Sequence, residues 1–271
     1  MIAPLDKPLV PINPIPELIS KVSASRLGCW LTCRLKFYFR YVLKLKKGNT
    51  AAQYVGSRVH GVLQQWNLAR WRQQPHDLDT LKTVYEREWR DKQKQEPVRW
   101  DTDEEPAEKA TGWSLLDLYL KESPIPKDEM PVGVELKLEA DLSRYGLPTL
   151  IGIIDLVRQK GRIVDYKTAG QTPNPEKSAH LHETQLTGYS VLYRENAEAR
   201  ESGLELHTLV KTKQPKLIVQ TMPPATEHMK TRLFRIMDSY QNGVEREDFV
   251  PSPSPMSCGG CEYFNECRRW N

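Results

Sequence analysis

Two apolar runs, TLIGIIDLVR and RIVDYKT, flank the turn signal Gln159-Lys160-Gly161 and predict a tight hairpin. Both runs are apolar on both faces, which predicts central, buried strands. Yet each carries a carboxylate, Asp155 in IGIIDLV and Asp165 in IVDYKT, and Lys167 follows Asp165 at a spacing of two. Charged groups are rarely buried without partners. The turn decides which of them meet. With a three-residue loop and Gly161 left-handed, Arg158 pairs with Arg162, Val157 with Ile163, and Asp155 falls opposite Asp165. Lys167 then shares their face. A two-residue turn would send the aspartates to opposite faces.

Opposed carboxylates have Cβ atoms about 5 Å apart. At an effective dielectric of about 20 their charges repel by about 3 kcal/mol. Lys167 supplies one compensating charge. A divalent cation supplies two, and two hard oxygen ligands suit Mg²⁺ or Mn²⁺. Such an ion would activate water and stabilise phosphorane-like charge, with the lysine positioning the water. A structural Asp–Lys pair inside a hairpin accounts for these residues equally well.

The rest of the chain bounds this reading. Its 271 residues make one large domain or two small ones. Hydrophobic residues are 39%, charged residues 27%, and the net charge is +4, which permits a nucleic-acid partner without establishing one. No apolar window reaches the length of a membrane span. Residues 1–20 read as a Pro-rich arm with no secretory signal. Five cysteines are too few for a disulfide scaffold and suit a reduced, cytoplasmic compartment.

A helix is expected from Ser23 to Leu45, capped by Ser23 or Ser25, and a second from about Tyr54 to Arg72 with Val59, Leu63 and Trp66 on one face. Residues 76–122 read as polar and helical, broken at Pro97 and Pro106. After the strand GVELKLEADL and the hairpin come a helix at about 175–196, strands at 204–211 and 216–221, and a helix at about 226–242. The expectation is α/β or α+β: helices flanking a short antiparallel sheet.

Other side chains could join the hairpin. His60 heads a helical stripe with Leu63, Gln64 and Asn67, and Gln185 and Tyr189 share a helix face at i, i+4. Ordinary packing explains each of them too, and Glu135 defaults to a surface or packing role. Cys258, Cys261 and Cys267 in SCGGCEYFNEC are different. Three thiols within ten residues, with Gly259 and Gly260 easing the turn, point to a soft metal or a cluster. Cys29 or Cys33 could supply the fourth thiolate and tie the chain's ends together.

In this order the pieces resemble the PD-(D/E)XK nuclease superfamily. The likeness is greatest to its RecB- and AddB-type domains and the CRISPR-associated spacer-acquisition nucleases. The family's N-terminal cysteine, followed by a basic-aromatic helix, matches CRLKFYFRYVLKL and selects Cys33 over Cys29, although Arg34 stands where proline is frequent. Its histidine matches GSRVHGVLQQW, its first aspartate GIIDLV, its acidic-x-lysine motif DYK, and its glutamine–tyrosine helix QLTGY.

The resemblance implies a restriction-endonuclease-like α/β core, a central mixed sheet flanked by helices. That core would form a single domain over 21–271: a helical part at about 21–128, the catalytic sheet at about 131–242 and a cysteine tail at about 250–271. It implies His60, Asp155 and Asp165 as Mg²⁺ or Mn²⁺ ligands and Lys167 as the residue positioning water. Gln185 and Tyr189 become supporting or DNA-contacting residues, and Glu135 matches a glutamate of less defined role. Cys33, Cys258, Cys261 and Cys267 would hold a [4Fe–4S] cluster, with Zn²⁺ as the runner-up. The implied activity is a DNA nuclease, an exonuclease acting on single-stranded ends. A catalytically silent DNA-binding or assembly subunit is the alternative. Arg34, Lys36 and Arg40 on the basic-aromatic helix would contact DNA, unless that helix only packs its aromatic side and solvates its basic one. With no Walker A motif, a helicase could only be a separate partner.

Overall fold

The central hairpin takes the register its turn dictates. This computed structural model describes residues 14–74, 77–93 and 97–270. Its strands β1 (Gly133–Ala140), β2 (Thr149–Arg158) and β3 (Arg162–Ala169) pair antiparallel in sequence. Arg158 opposes Arg162 and Val157 opposes Ile163 across the three-residue loop. Gly161 is left-handed at φ 72°, as expected, and Lys160 joins it at φ 61°. The bonded ladder ends at Leu156 and Val164, one pair before the two aspartates.

Chain contacts divide the molecule into two compact units: Lys47–Ala140 with Leu150–Phe234, and Met1–Lys46 with Asp141–Thr149 and Arg235–Asn271. The first holds the hairpin. Its strands run in the order β1-β2-β3-β4-β5, with β4 at Gly203–Val210 and β5 at Lys216–Met222. β4 lies parallel to β3, so the sheet is mixed and not purely antiparallel. The cause is the long helical connection between them, which returns the chain to the end where β3 began.

Three helices precede the sheet: α1 (Ala51–Trp71), α2 (Leu78–Gln93) and α3 (Glu104–Glu122). α1 starts three residues earlier than expected because Thr50 and Gln53 close a capping box. Pro106 does not break α3. It sits in the first turn, where no intrahelical donor is needed. Val59, Leu63 and Trp66 of α1 are buried against Tyr85, Trp89, Leu115 and Tyr119, and meet Leu156 and Val164 of the hairpin. The helix expected after the hairpin is two, α4 (Pro175–Leu181) and α5 (Glu183–Ala197), separated at His182.

In the second unit most of the Pro-rich arm lies outside the described residues, and Ile15–Ser20 is a helix. The helix expected from Ser23 to Leu45 is interrupted. Ser23 caps Ala24–Thr32 as anticipated, but Cys33 is extended at φ −166°. Its thiol accepts from the Lys36 N–H and starts a new turn at Arg34–Phe37, which widens into π geometry over Tyr38–Val42. The Leu35 N–H leaves the helical pattern for the Val250 carbonyl, at 3.1 Å. Trp30, Phe37, Tyr240 and Phe249 form this unit's aromatic core, with Trp30 and Phe37 edge-to-face at 5.4 Å.

Candidate active site

Five elements of the hairpin unit open onto one cleft of about 900 Å³: α1 through His60 and Gln64, α2 through Glu88 and Lys92, β1 through Glu135, β2 through Ile153 and Asp155, β3 through Thr168. Gly56 lets α1 approach β3 closely. A Cβ there would stand 2.8 Å from the Thr168 hydroxyl oxygen.

Asp155 Oδ2 lies 3.6 Å from His60 Nδ1 and accepts a 2.9 Å hydrogen bond from the Tyr166 N–H. Asp165 is 1% exposed. Its Oδ1 accepts from Gln185 Nε2 at 3.0 Å and from the Tyr189 hydroxyl at 3.4 Å. Gln185 also donates to Tyr189 Oη at 2.7 Å, so the i, i+4 pair acts as one clamp from α5. Asp165 Oδ2 has the Lys167 ammonium at 2.6 Å. That contact is ionic rather than a well-directed hydrogen bond, and Oδ2 finds no hydrogen-bond partner among the described residues.

Burial pushes the Asp155 and Asp165 carboxyls above the ordinary range, and each raises the cost of charging the site; Lys167 opposes the shift at both. Glu135 is pushed up to about 7 by burial and by the charge of Asp155. Burial lowers His60, so its imidazole is neutral near pH 7 and keeps a lone pair for a ligand. Two hard carboxylates with a neutral, borderline imidazole form a donor set that a small divalent cation would satisfy, and that cation would relieve the carboxylates' repulsion. The residues therefore fit Mg²⁺ or Mn²⁺. They are gathered rather than closed: among the described residues no three His, Cys, Asp or Glu side chains stand at metal-bonding spacing.

A buried polar chain supports the hairpin from behind. Asn67 Nδ2 donates to the Tyr166 hydroxyl at 3.0 Å, and Arg70 donates to Asn67 Oδ1 at 3.1 Å. The Tyr119 ring meets Tyr166 edge-on at 5.5 Å, and its hydroxyl shares a 2.7 Å hydrogen bond with His207 Nδ1. The resemblance implied that the Asp165 or Tyr166 backbone could assist the ligands, and the Tyr166 N–H bonds Asp155. Sequence reasoning missed the Tyr166 hydroxyl's place in this buried chain. It also missed Thr168, Ile153 and His182. His182 is held below its usual pKa by burial and by Lys167, and it falls in what read as one continuous helix.

The second unit gathers thiols. Cys33, Cys258, Cys261 and Cys267 line one pocket with Leu35, Phe39 and Tyr263. Cys29 does not line it, and burial pushes its thiol up to about 11. The break at Cys33 separates two cysteines that a continuous helix would have aligned. Burial and then the neighbouring Cys33, Cys261 and Cys258 raise the Cys267 thiol. Four thiols in an apolar pocket are the donor type that an iron–sulfur cluster or zinc takes, and like the hairpin residues they do not stand at metal-bonding spacing among the described residues. Of the expected DNA contacts, Arg34 is paired with Asp248 and Lys36 with Glu262 at 2.8 Å, whereas Arg40 is exposed. Phe37 and Phe39 face the core.

No described helix is long and apolar enough to cross a membrane. No curated protein matches the chain. Among solved structures, a "putative exonuclease" from Eubacterium rectale aligns with a TM-score of 0.61 at 12% identity, over 95% of this chain and 90% of that one. A second structure, SSO0001, aligns over 92% and 86% at 14% identity with a TM-score of 0.42. The sequence pattern of one family spans residues 21–268, almost the whole chain and every residue of the hairpin site. By that match the chain belongs to the PD-(D/E)XK nuclease superfamily.

Proposed function

We propose that the protein is a Mg²⁺- or Mn²⁺-dependent deoxyribonuclease that degrades single-stranded DNA from an end. The observation that carries this reading is the hairpin itself. Asp155 and His60 line an open cleft, and the buried Asp165 with its partner Lys167 lies on the next strand beside them, in a chain of a nuclease superfamily.

His60, Asp155 and Asp165 would hold the cation. When bound, it supplies charge neutralisation and Lewis-acid polarisation at the phosphate under attack. Lys167 holds the attacking water through its ammonium and keeps positive charge beside the developing oxyanion. Gln185 and Tyr189 fix Asp165 through Oδ1, and the Lys167 ammonium stands at Oδ2, so a bound cation would share that oxygen with the ammonium or displace it. The Tyr166 N–H does the same for one oxygen of Asp155. Arg40, with its side chain exposed on the basic-aromatic segment, can follow the strand's phosphates.

Cys33, Cys258, Cys261 and Cys267 would hold a structural [4Fe–4S] cluster, which supports the choice of Cys33 over Cys29. Zinc in the same thiols is the other reading. Described cysteines that are all unpaired agree with a reducing cytoplasm. A helicase or another nucleic-acid-processing subunit is a fitting partner, since the chain carries no Walker A motif.

The test is Mn²⁺-dependent degradation of end-labelled linear single strands beside circular ones, with protein prepared without oxygen. Loss of the linear strand and survival of the circle is expected. Cutting of circles would replace the exonuclease with an endonuclease. Binding without cutting would favour a silent subunit.

A further inference from the structure

We propose that Arg58 and Lys92 form a phosphate-binding subsite that takes the phosphate next to the one being cut. The proposal rests on the nuclease reading above and adds a substrate contact to the same cleft.

The cleft carries charges of both signs. Asp155 and Glu135 lie with His60, and Glu88 lies beside Gly61, where an added Cβ would stand 2.6 Å from its carboxylate. The α1 turn before His60 presents Ser57 and Arg58 instead, and Lys92 lines the cleft from α2. Ser57 precedes His60 by three residues, so it sits about 4.5 Å along the helix on an adjoining face.

Arg58 is unusual for a cleft arginine because it is only 6% exposed. Its guanidinium lies over the Tyr54 ring, 5.1 Å from the centroid, and Nη2 donates to Ser57 Oγ at 3.2 Å. Ser57 Oγ in turn donates to the Tyr54 carbonyl at 2.8 Å. The fork is thus held in place by its own helix before any ligand arrives, which reduces the ordering cost of binding. A planar guanidinium fork matches two phosphate oxygens, and a partly desolvated one binds them more strongly. Lys92 is exposed and adds a flexible point charge.

The chemistry requires such a pair. Carboxylates that attract a cation repel the phosphodiester that must lie on it. Cations on the wall of the same cleft offset that repulsion and fix the strand's register.

The test is fluorescence anisotropy of a labelled single-stranded oligonucleotide in EDTA, which reads binding without cutting. Three variants are compared with wild type across a salt series: Arg58→Lys, Lys92→Ala, and Lys216→Ala on the exposed β5 strand. Lys92→Ala should weaken binding several-fold and flatten the log K against log salt slope by about 0.7. Arg58→Lys keeps the charge, so it should weaken binding by about tenfold with the slope unchanged. Lys216→Ala should do neither. Running each with 5′-hydroxyl and 5′-phosphate oligonucleotides separates an internal phosphate, with equal losses, from a terminal one, with losses only on the phosphorylated strand.

Wild-type affinity and slope in both cleft variants would overturn the subsite while leaving the nuclease reading intact. Equal flattening by Lys216→Ala would overturn it as well, because the effect would be net charge alone. A wild type that binds with the expected variant pattern, yet never cuts with Mn²⁺, would keep the subsite and sink the nuclease.

Discussion

At the residue scale, Glu135 is where burial and backbone geometry meet. It lies midway along β1 between the pairs Val134–Leu156 and Leu136–Ile154, which puts it opposite Asp155. Its φ of 49° is left-handed, a conformation that costs a non-glycine residue about 1–2 kcal/mol. The fold bears that strain while holding a carboxylate in the cleft, as functional sites often do. The folded-state pKa of about 7 lies above the ordinary 4.5. Below pH 4.5 both folded and unfolded chains hold this proton, and the carboxyl's stabilising share is complete. As pH rises to 7 the unfolded chain ionises freely while the folded one resists, so stability falls. Glu135→Gln cannot ionise. In metal-free protein it should melt higher than wild type at pH 8 and level with it at pH 4. A constant difference at both pH values would contradict the burial of this charge. Asp155, Asp165 and Lys167 were legible because a charge inside an apolar run is an anomaly. Glu135 was not, because GVELKLEA alternates and a glutamate there reads as solvent-facing.

At the element scale, register was legible and direction was not. The turn residues fix Arg158 against Arg162, since loop length and a left-handed glycine leave one pairing. Nothing in the apolar run of β4 encodes whether it lies parallel or antiparallel to β3. Only the length of the connection bears on it. Helix ends failed where a side chain or a distant carbonyl intervened: Thr50 and Gln53 extend α1, and the thiol of Cys33 ends one helix and begins another. The packing of α1 behind β3 has its own test. Asn67 is fully buried and bonds Tyr166, so Asn67→Ala leaves a buried hydroxyl and an arginine short of partners. Urea unfolding should show a loss of about 1–3 kcal/mol. A loss within error would mean that the network does not brace the hairpin.

At the scale of the whole molecule, two sites occupy two units. The hairpin, His60 and the Gln185–Tyr189 clamp lie in one, and all five cysteines lie in the other. The tail trio was legible from spacing alone. Its fourth partner was not: spacing leaves Cys29 and Cys33 equivalent, and only the resemblance separates them. In the fold the helix breaks at Cys33, which lines the trio's pocket, while Cys29 does not. Cys261→Ser should abolish the brown colour of anaerobic protein and lower its melting temperature and solubility. Wild-type iron content and melting in that variant would remove the cluster from these cysteines. Colourless wild-type protein with stoichiometric zinc would replace iron by zinc.

The central claim is that phosphodiester chemistry sits on the hairpin, and Lys167 tests it most directly because it is only 25% exposed and pairs with Asp165 at 2.6 Å. The measurement is the rate of Mn²⁺-dependent degradation of end-labelled single-stranded DNA by Lys167→Ala beside wild type, with both melting alike. A fall of about 10²–10⁴-fold is predicted. Degradation by the folded variant at the wild-type rate would place the chemistry elsewhere.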